Sequence, residues 1–239
     1  QYAKITEMMS KKWKNTAYMP YFQTGTGTYA PAEKLERLYY EALSLPGAVG
    51  LSIATRPDCI GKDVLKLLSD VSKKTYLTVE LGLQSVHDST GEIINRKSSF
   101  SEFENTFGSL KELGIDVCVH LINGLPGETR EMMMQSVKTV SDMRPWSLKL
   151  HLLHVIRGTV CEKMYREGRF DVFEKEDYVD LICDQLEIIH PDIVMQRLTG
   201  DGERSELVAP LWSIRKFEVL NSIDAEMKRR NAFQGDKCP

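Results

Sequence analysis

Ionisable side chains recur at alternate positions in four apolar segments of this 239-residue sequence. The segments read VGLSIATRP, YLTVELGLQS, DVCVHLING and LKLHLL, and they carry Arg56, Glu80, His120, Lys149 and His151. Carboxylate and imidazole groups transfer protons, and a lysine with a lowered pKa can form a Schiff base with a carbonyl substrate. These residue types favour a binding or catalytic site over a purely structural role.

Each segment reads as a strand with one aliphatic and one polar face, because side chains alternate between the two sides of a strand. A strand buried on both faces of a parallel sheet is normally apolar throughout. Unpaired buried charge is costly, so we expect the polar faces to surround a ligand or to pair with one another. Lys149 is then either a Schiff-base lysine or the ion-pair partner of Glu80, and we favour the ion pair.

Strands and helices alternate in units of about 30 residues, which predicts parallel βαβ construction. The predicted strands span residues 17–23, 49–55, 76–83, 116–123, 148–155 and 193–198, and the predicted helices span 32–45, 62–72, 103–113, 128–143 and 177–190. About six units are too few for a closed eight-unit barrel. We therefore predict an α/β fold, a partial (β/α) TIM-like barrel of about six parallel strands, with a doubly wound open sheet as the alternative.

Two glycine-bearing loops follow predicted strands, at the carboxyl ends where parallel sheets bind ligands. The TGTGT loop, residues 24–28, lacks the spacing and the lysine of a Walker phosphate loop. In HLINGLPGET, Gly127 suits a tight turn, while Gly124 ends the polar face and indicates a close backbone approach. His151 and His154 are three residues apart on an extended segment, so they point to opposite faces and are not expected to share a metal ion.

The composition is that of an ordinary globular protein, with 42% hydrophobic and 27% charged residues. A net charge of −3 gives no electrostatic argument for a nucleic-acid or membrane partner. No apolar stretch approaches the roughly 20 residues that a membrane span needs. The five cysteines, at positions 59, 118, 161, 183 and 238, form no Cys-x-x-Cys motif, so we expect a reducing cytoplasm.

Several segments resemble motifs of radical S-adenosylmethionine (radical SAM) enzymes. HLINGLPGET is similar to the adenine-side motif on the fifth strand of that family, and VELGLQS and ATRPD are similar to its fourth-strand and third-strand segments. The similarity is strongest to the branch of the elongator catalytic subunit and oxygen-independent coproporphyrinogen dehydrogenase. INRKSSF stands where that branch has an Asn-Arg-Gly-His-like stretch. KLHLLHVIRGT, LTGDG and LVAPLW narrow the resemblance to bacterial Fe–S oxidoreductases of unassigned substrate, and the resemblance covers essentially the whole chain.

The resemblance implies contacts with S-adenosylmethionine through Gln23, Thr26, Gly27, Arg56, Glu80, Gln84, Arg96, Ile122, Gly124 and Leu150. The first three stand where the family has a Gly-Gly-Glu motif for the methionine amino group, from which this sequence departs. Gln84 and Glu80 would face the ribose and methionine, and Arg96 would pair with the methionine carboxylate. Ile122 and Gly124 would contact adenine, and the backbone at Leu150 would close the pocket. Lys149, His151 and His120, together with Arg56, would face the substrate.

The family holds a [4Fe–4S] cluster through a Cys-x3-Cys-x2-Cys triplet, because thiolates are the ligands of such clusters. This sequence contains no such triplet. We expect the first strand and the cluster loop to lie upstream of Gln1, so that the chain is a fragment without the metal ligands and inactive by itself.

In the intact protein, the resemblance implies reductive cleavage of S-adenosylmethionine to a 5′-deoxyadenosyl radical that abstracts hydrogen from an RNA or a small metabolite. A donor such as flavodoxin or ferredoxin would supply the electron. Residues 1–200 would form the barrel core, and residues 201–239 a helical extension packed on it. The alternatives are a TIM-barrel lyase or aldolase that uses Lys149, and a non-catalytic module that binds S-adenosylmethionine or acts as a scaffold.

Overall fold

Six parallel strands form one open sheet in this computed structural model, which describes residues 2–11, 17–23, 25–200, 202 and 204–238. The strands are β1 (Tyr21–Phe22), β2 (Gly50–Thr55), β3 (Tyr76–Gln84), β4 (Asp116–Asn123), β5 (Ser147–Leu152), β6 (Val155–Ile156), β7 (Val194–Arg197) and β8 (Leu207–Ala209). The main sheet has the order β1-β2-β3-β4-β5-β7, and β6 pairs with β8 in a separate antiparallel ribbon.

The strand order follows the chain without a reversal, as in a barrel, whereas a doubly wound sheet reverses its order at a switch point. The sheet is not closed, because β1 and β7 lie at its two edges among the described strands. The predicted partial barrel of about six parallel strands is confirmed. The first predicted strand is shorter than expected: only Tyr21–Phe22 is a strand, and an isolated bridge joins Tyr18 to Ala48.

The helices are α1 (Tyr2–Ser10), α2 (Ala32–Leu43), α3 (Lys62–Ser72), α4 (Asp88–Ile93), α5 (Phe100–Glu112), α6 (Arg130–Met143), α7 (Val160–Arg166), α8 (Lys175–Ile188) and α9 (Lys216–Arg230). The predicted helix 62–72 coincides with α3. Helix α5 begins three residues earlier than predicted because Ser99 and Glu102 form a reciprocal cap around its first turn. The sequence pattern did not predict α1, α4 and α7, which are too short for a clear helical period.

None of the helices among the described residues has the length and apolar character needed to cross a membrane.

The aliphatic faces of the strands pack beneath the helices, as predicted. Leu81 of β3, Val119 of β4 and Leu150 of β5 are fully buried in one hydrophobic core with Phe103 of α5 and Ile182 of α8. Since this side of the sheet is covered, the polar faces of the same strands lie on the opposite, inner side of the sheet.

The register between strands aligns the polar residues in steps toward the carboxyl edge of the sheet. His120 of β4 lies opposite Lys149 of β5, and Ile122 lies opposite His151 one step nearer that edge. Glu80 of β3 lies one step nearer the amino end than the level of His120. The Glu80 side chain can therefore extend toward the carboxyl edge and contact His120 on β4 and Lys149 on β5.

The C-terminal helix α9 is held to α8 by burial and by charge. Val219 and Ile223 of α9 are buried in the same core as the sheet. Arg230, at the end of α9, forms ion pairs with Asp180, Asp184, Glu187 and Glu226. The division of the chain at residue 200 stays a prediction.

Replacing Arg230 with Met is expected to lower the free energy of unfolding by about 2–4 kcal/mol, because carboxylates of α8 and α9 would then face one another without their shared cation. Urea unfolding at neutral pH measures the change. The control is Arg229→Met, since Arg229 is largely exposed and forms its ion pair with Glu226, so its loss should change the stability little. Equal losses for the two variants would show that the network adds no stability.

Candidate functional site

The Glu80 carboxylate lies at the centre of a polar network on the inner face of the sheet. Its Oε2 accepts hydrogen bonds from the Tyr21 hydroxyl at 2.7 Å and the Lys149 ammonium at 2.5 Å, and lies 2.7 Å from Nε2 of His120. Its Oε1 accepts from the Ser52 hydroxyl at 3.1 Å. Since these partners belong to β1, β2, β4 and β5, one carboxylate joins five of the six strands.

Burial alone would raise the pKa of the Glu80 carboxyl, because a buried charge is poorly solvated. Hydrogen bonds from His120, Lys149 and Tyr21 outweigh burial and hold this pKa at about 2. The predicted ion pair between Glu80 and Lys149 is confirmed. An ammonium held by a carboxylate has no electron pair with which to attack a carbonyl, so this arrangement disfavours the Schiff-base interpretation of Lys149.

Tyr21 and Ser52 are partners of Glu80 that sequence reasoning did not single out. Ser52 belongs to the polar face of its segment, so alternation could have identified it. Tyr21 gave no such signal, because its strand has only two residues. Burial, together with the bond to Glu80, raises the pKa of the Tyr21 phenol, which therefore stays protonated and donates.

His151 lies beside this network with one nitrogen that lacks a partner. Its ring centroid is 5.2 Å from that of His120. Burial, followed by a smaller effect of the neighbouring His120, lowers the pKa of His151 to about 3, so the His151 imidazole is neutral at physiological pH. Its Nε2 is buried and has no hydrogen-bond partner among the described residues. Such an atom costs about 1–3 kcal/mol, which a bound ligand could recover.

Within the described part of the chain, one group could offer a metal ion three mixed ligands. Donor atoms of Glu80, Cys118 and His120 lie within 4.8 Å of one another. The Lys149 ammonium already occupies the shared carboxylate oxygen, and burial raises the pKa of the Cys118 thiol to about 12. A thiol, unlike a thiolate, is a poor metal ligand. The geometry therefore favours the ion pair over a bound metal.

The loop after β1 carries three of the predicted ligand contacts. Gln23 is exposed and Thr26 is half-buried, whereas Thr24 lies outside the described residues. The N–H of Gly27 donates to the Ala54 carbonyl at 2.9 Å, and an added Cβ would lie 2.8 Å from the same oxygen. Close packing of this loop on β2 therefore requires glycine at position 27.

Arg56 and Gln84 lie at the carboxyl ends of β2 and β3. Arg56 is exposed and forms an ion pair with Asp58, so it is engaged outside the Glu80 network. Gln84 has a φ of +63°, and the register with β4 slips between Gly82 and Gln84. The Gln84 amide folds back over Gly82, where an added Cβ would lie 2.6 Å from Nε2. This bulge turns Gln84 away from the regular alternation of β3.

Arg96 fastens the segment that follows β3. Its guanidinium donates to the carbonyls of Leu83 at 2.8 Å, Ser98 at 2.7 Å and Ser85, and to the Asp88 carboxylate at 2.6 Å. These contacts use four of its five N–H groups. The structure thus gives Arg96 a structural role, and its pairing with a methionine carboxylate stays a prediction.

The predicted adenine contacts lie where β4 ends. Ile122 is half-buried on the inner face, while the Leu150 side chain is fully buried on the helix side, which leaves only its backbone for a ligand. Gly124 has a φ of +87°, and its N–H donates to the sulfur of Met133 at 3.1 Å. An added Cβ at Gly124 would lie 3.2 Å from the ring of Phe173, a residue that sequence reasoning did not single out.

Of the predicted site residues, Glu80, His120, Lys149 and His151 are brought together, and Ile122 lies opposite His151. The arrangement provides a buried anion, two groups that donate to it and a neutral imidazole. Such a set can orient a bound molecule and exchange protons with it.

Two family models match the chain. The Radical SAM superfamily model matches residues 7–140, and the Radical_SAM C-terminal domain model matches residues 145–229. Together with the fold, these matches confirm the resemblance that the strand-end motifs suggested.

Curated relatives agree with the family models. The chain is 45% identical over 235 residues to the uncharacterized protein YtqA of Bacillus subtilis, covering 98% of this chain and 73% of that protein. It is 35% identical over 208 residues to the protein YhcC of Escherichia coli, covering 87% and 67%. A tRNA uridine(34) acetyltransferase of Dehalococcoides mccartyi shares 31% identity over 156 residues, covering 64% of this chain and 33% of that protein.

Among solved structures, the archaeal Methanocaldococcus infernus Elp3 with an N-terminal deletion superposes with a TM-score of 0.81 at 20% identity. The match covers 97% of this chain but only 58% of that one. At this level of identity the likeness concerns the fold alone. The family matches and the fold agree, and the chain belongs to the radical SAM superfamily.

Proposed function

We propose that this chain is the part of a radical SAM enzyme that binds S-adenosylmethionine and the substrate. The observation that carries the proposal is the buried polar network around Glu80 on the inner face of an open parallel barrel, below the predicted adenine contacts. S-adenosylmethionine, when bound, would supply the radical chemistry for hydrogen abstraction. The protein contributes binding, orientation and shielding, as is usual where a cofactor performs the difficult step.

The residues at the carboxyl edge fit S-adenosylmethionine. Ile122 is half-buried on the inner face, and His151, which lies opposite it, holds a buried nitrogen without a partner among the described residues. One N–H of Arg96 remains for a carboxylate beyond its four contacts. The proposed binding residues are those that the resemblance implied, namely Gln23, Thr26, Gly27, Arg56, Glu80, Gln84, Arg96, Ile122, Gly124 and Leu150.

The residues of this chain do not fit a [4Fe–4S] cluster, which needs several clustered thiolates. The five free cysteines lie on different elements, and the two fully buried ones are Cys118 and Cys183. Burial raises the pKa of both thiols, which disfavours thiolates. We propose that the cluster ligands come from outside these 239 residues.

Lys149, His120 and His151 are the proposed substrate-facing groups. Glu80 fixes the first two by hydrogen bonds, while His151 stays neutral and can donate or accept a proton at Nε2. The lyase alternative is less well supported, because Lys149 is held as an ammonium by Glu80. The scaffold alternative does not account for the buried nitrogen of His151, which has no partner among the described residues.

The name of one relative favours an RNA substrate, whereas the net charge of the chain does not. The name of the Dehalococcoides mccartyi relative states that it acts on a tRNA uridine. The net charge of −3 adds no electrostatic attraction for phosphates. We therefore include RNA in the proposal, and a small metabolite is the second substrate class.

The chain is expected to bind S-adenosylhomocysteine, a stable analogue that tests the site without cleavage. Replacing Ile122 with Glu should raise the dissociation constant at least about tenfold, because an unpaired charge would lie against the adenine. Isothermal titration calorimetry measures the affinity. Val194→Glu on the exposed edge strand β7 is the matched control and should bind as the wild type does. Absence of wild-type binding would refute the proposed site.

Anaerobic incubation with iron, sulfide and a reductant is expected to leave fewer than about one iron per chain, because no thiolate triplet is present. Iron and sulfide analysis checks this. A Cys118→Ala variant should take up the same small amount. About four irons per chain, lost in that variant, would contradict the proposal that the ligands lie elsewhere.

Glu80 is expected to stabilise the fold in a pH-dependent way. Its folded pKa of about 2 lies below the ordinary 4.5, so its contribution is present above about pH 4.5 and is lost as the pH falls toward 2. In urea unfolding, Glu80→Gln should destabilise the chain by about 3 kcal/mol at pH 7 and by less at pH 3. Glu112→Gln, at an exposed position of α5, should have no effect at either pH. A deficit for Glu80→Gln that is the same at both pH values would rule out the depressed pKa.

A further inference from the structure

The His120 imidazole is held through one of its two ring nitrogens. Its Nε2 lies 2.7 Å from Oε2 of Glu80. The Glu80 carboxyl has a pKa of about 2, so at neutral pH it is a carboxylate, which can only accept hydrogen bonds. Nε2 must therefore carry a proton, and a neutral His120 has its lone pair on Nδ1.

The Lys149 ammonium decides the charge balance of this pair. It donates to the same Glu80 oxygen that His120 contacts, and its Cα lies opposite that of His120 across β4 and β5. One carboxylate is thus already matched by one cation. The buried carboxylate does not require a second positive charge on His120, so the imidazole is able to accept a proton.

The Nδ1 atom of His120 is accessible to a ligand. It takes part in no hydrogen bond within the described part of the chain, and it is not one of the buried polar atoms without a partner, so it is open to solvent on the inner face. The His120 side chain is 20% exposed, compared with 7% for Glu80 and 12% for Lys149. In His151, by contrast, the nitrogen without a partner is buried.

A structural partner of Glu80 would need only Nε2, which leaves the open Nδ1 to be explained. A carboxylate that binds one imidazole nitrogen fixes the tautomer and the orientation of the ring, and it stabilises the imidazolium that forms when the other nitrogen takes a proton. The Lys149 ammonium has three N–H groups and uses one of them for Glu80. It lies beside His120, where it can stabilise the anion that a bound molecule becomes when it loses a proton.

We propose that Nδ1 of His120 is the proton acceptor of the substrate site and that Glu80 is its positioning residue. The substrate is then a molecule with an ionisable O–H or N–H group. In this step the substrate O–H or N–H bond breaks, its electron pair stays on the substrate, and an N–H bond forms at Nδ1. No oxidant or reductant takes part in the transfer. The inference rests on the proposed function and adds to it a proton transfer and a class of substrate.

Alkylation by iodoacetamide, after the exposed cysteines have been capped, tests which nitrogen is reactive. At pH 8 the wild type is expected to give an Nδ1 product of His120 in at least about tenfold excess over the Nε2 product, because reaction at Nε2 has to break a hydrogen bond to a charged group. Peptide mapping locates the modified histidine, and NMR spectroscopy of the peptide identifies the modified nitrogen. His151 should stay unmodified because its Nε2 is buried.

Glu80→Gln should bring the two products of His120 to within about threefold of each other, because an amide can donate to Nε2 as well as accept from it. Tyr21→Phe removes another partner of Glu80 but keeps the carboxylate, so it should keep the wild-type product ratio. Near-ultraviolet circular dichroism shows whether each variant is folded. The matched control is His190→Gln, since His190 lies beside Asp192 ahead of β7 and its loss should leave the alkylation of His120 unchanged.

Alkylation of the wild type at Nε2, or no alkylation of His120 at all, would overturn the inference and leave the proposed function standing. An unchanged product ratio in a folded Glu80→Gln variant would also overturn it, because the carboxylate would then not set the tautomer. Failure of the wild type to bind S-adenosylhomocysteine would overturn both the proposed function and the inference.

Discussion

The ion pair between Glu80 and Lys149 is the interaction on which the inner face of the sheet depends. A sheet covered on one side by helices cannot leave charged groups on its other side without partners, because a buried charge in an apolar medium is unstable. One carboxylate, that of Glu80 on β3, pairs with polar side chains of four other strands. These side chains are Tyr21, Ser52, His120 and Lys149. The inner face can therefore stay polar while the sheet stays folded.

The two ends of the polar face differ in whether their polar groups have hydrogen-bond partners. At the level of Glu80 and Lys149 the hydrogen-bonding groups satisfy one another, so this region acts as a rigid floor. One step nearer the carboxyl edge, His151 retains a buried nitrogen without a partner among the described residues. The unsatisfied group thus lies where parallel sheets bind their ligands, and the satisfied groups lie beneath it. This order is what a site needs if binding is to occur on an already organised surface.

Much of this arrangement could be predicted from the sequence, because alternation along a strand is a local property. It correctly predicted β2, β3, β4 and β5, the aliphatic face under the helices and the Glu80–Lys149 pair. It could not predict Tyr21 or Phe173, since both act through contacts between residues far apart in the chain. The orientations of Gln84 and Arg96 also could not be predicted from the sequence. A bulge in β3 sets the orientation of Gln84, and contacts with backbone carbonyls set that of Arg96. Neither feature follows from residue type.

The open sheet has two edges whose lengths differ from those of its central strands. An unclosed sheet exposes backbone donors and acceptors along its two edges, and long flat edges template the addition of further strands. In the described residues these edges are short: β1 has two residues and β7 has four. The strands that run longest, β3 and β4, lie in the middle of the sheet with neighbours on both sides. The two edges of the described sheet therefore offer few backbone groups with which a further strand could pair.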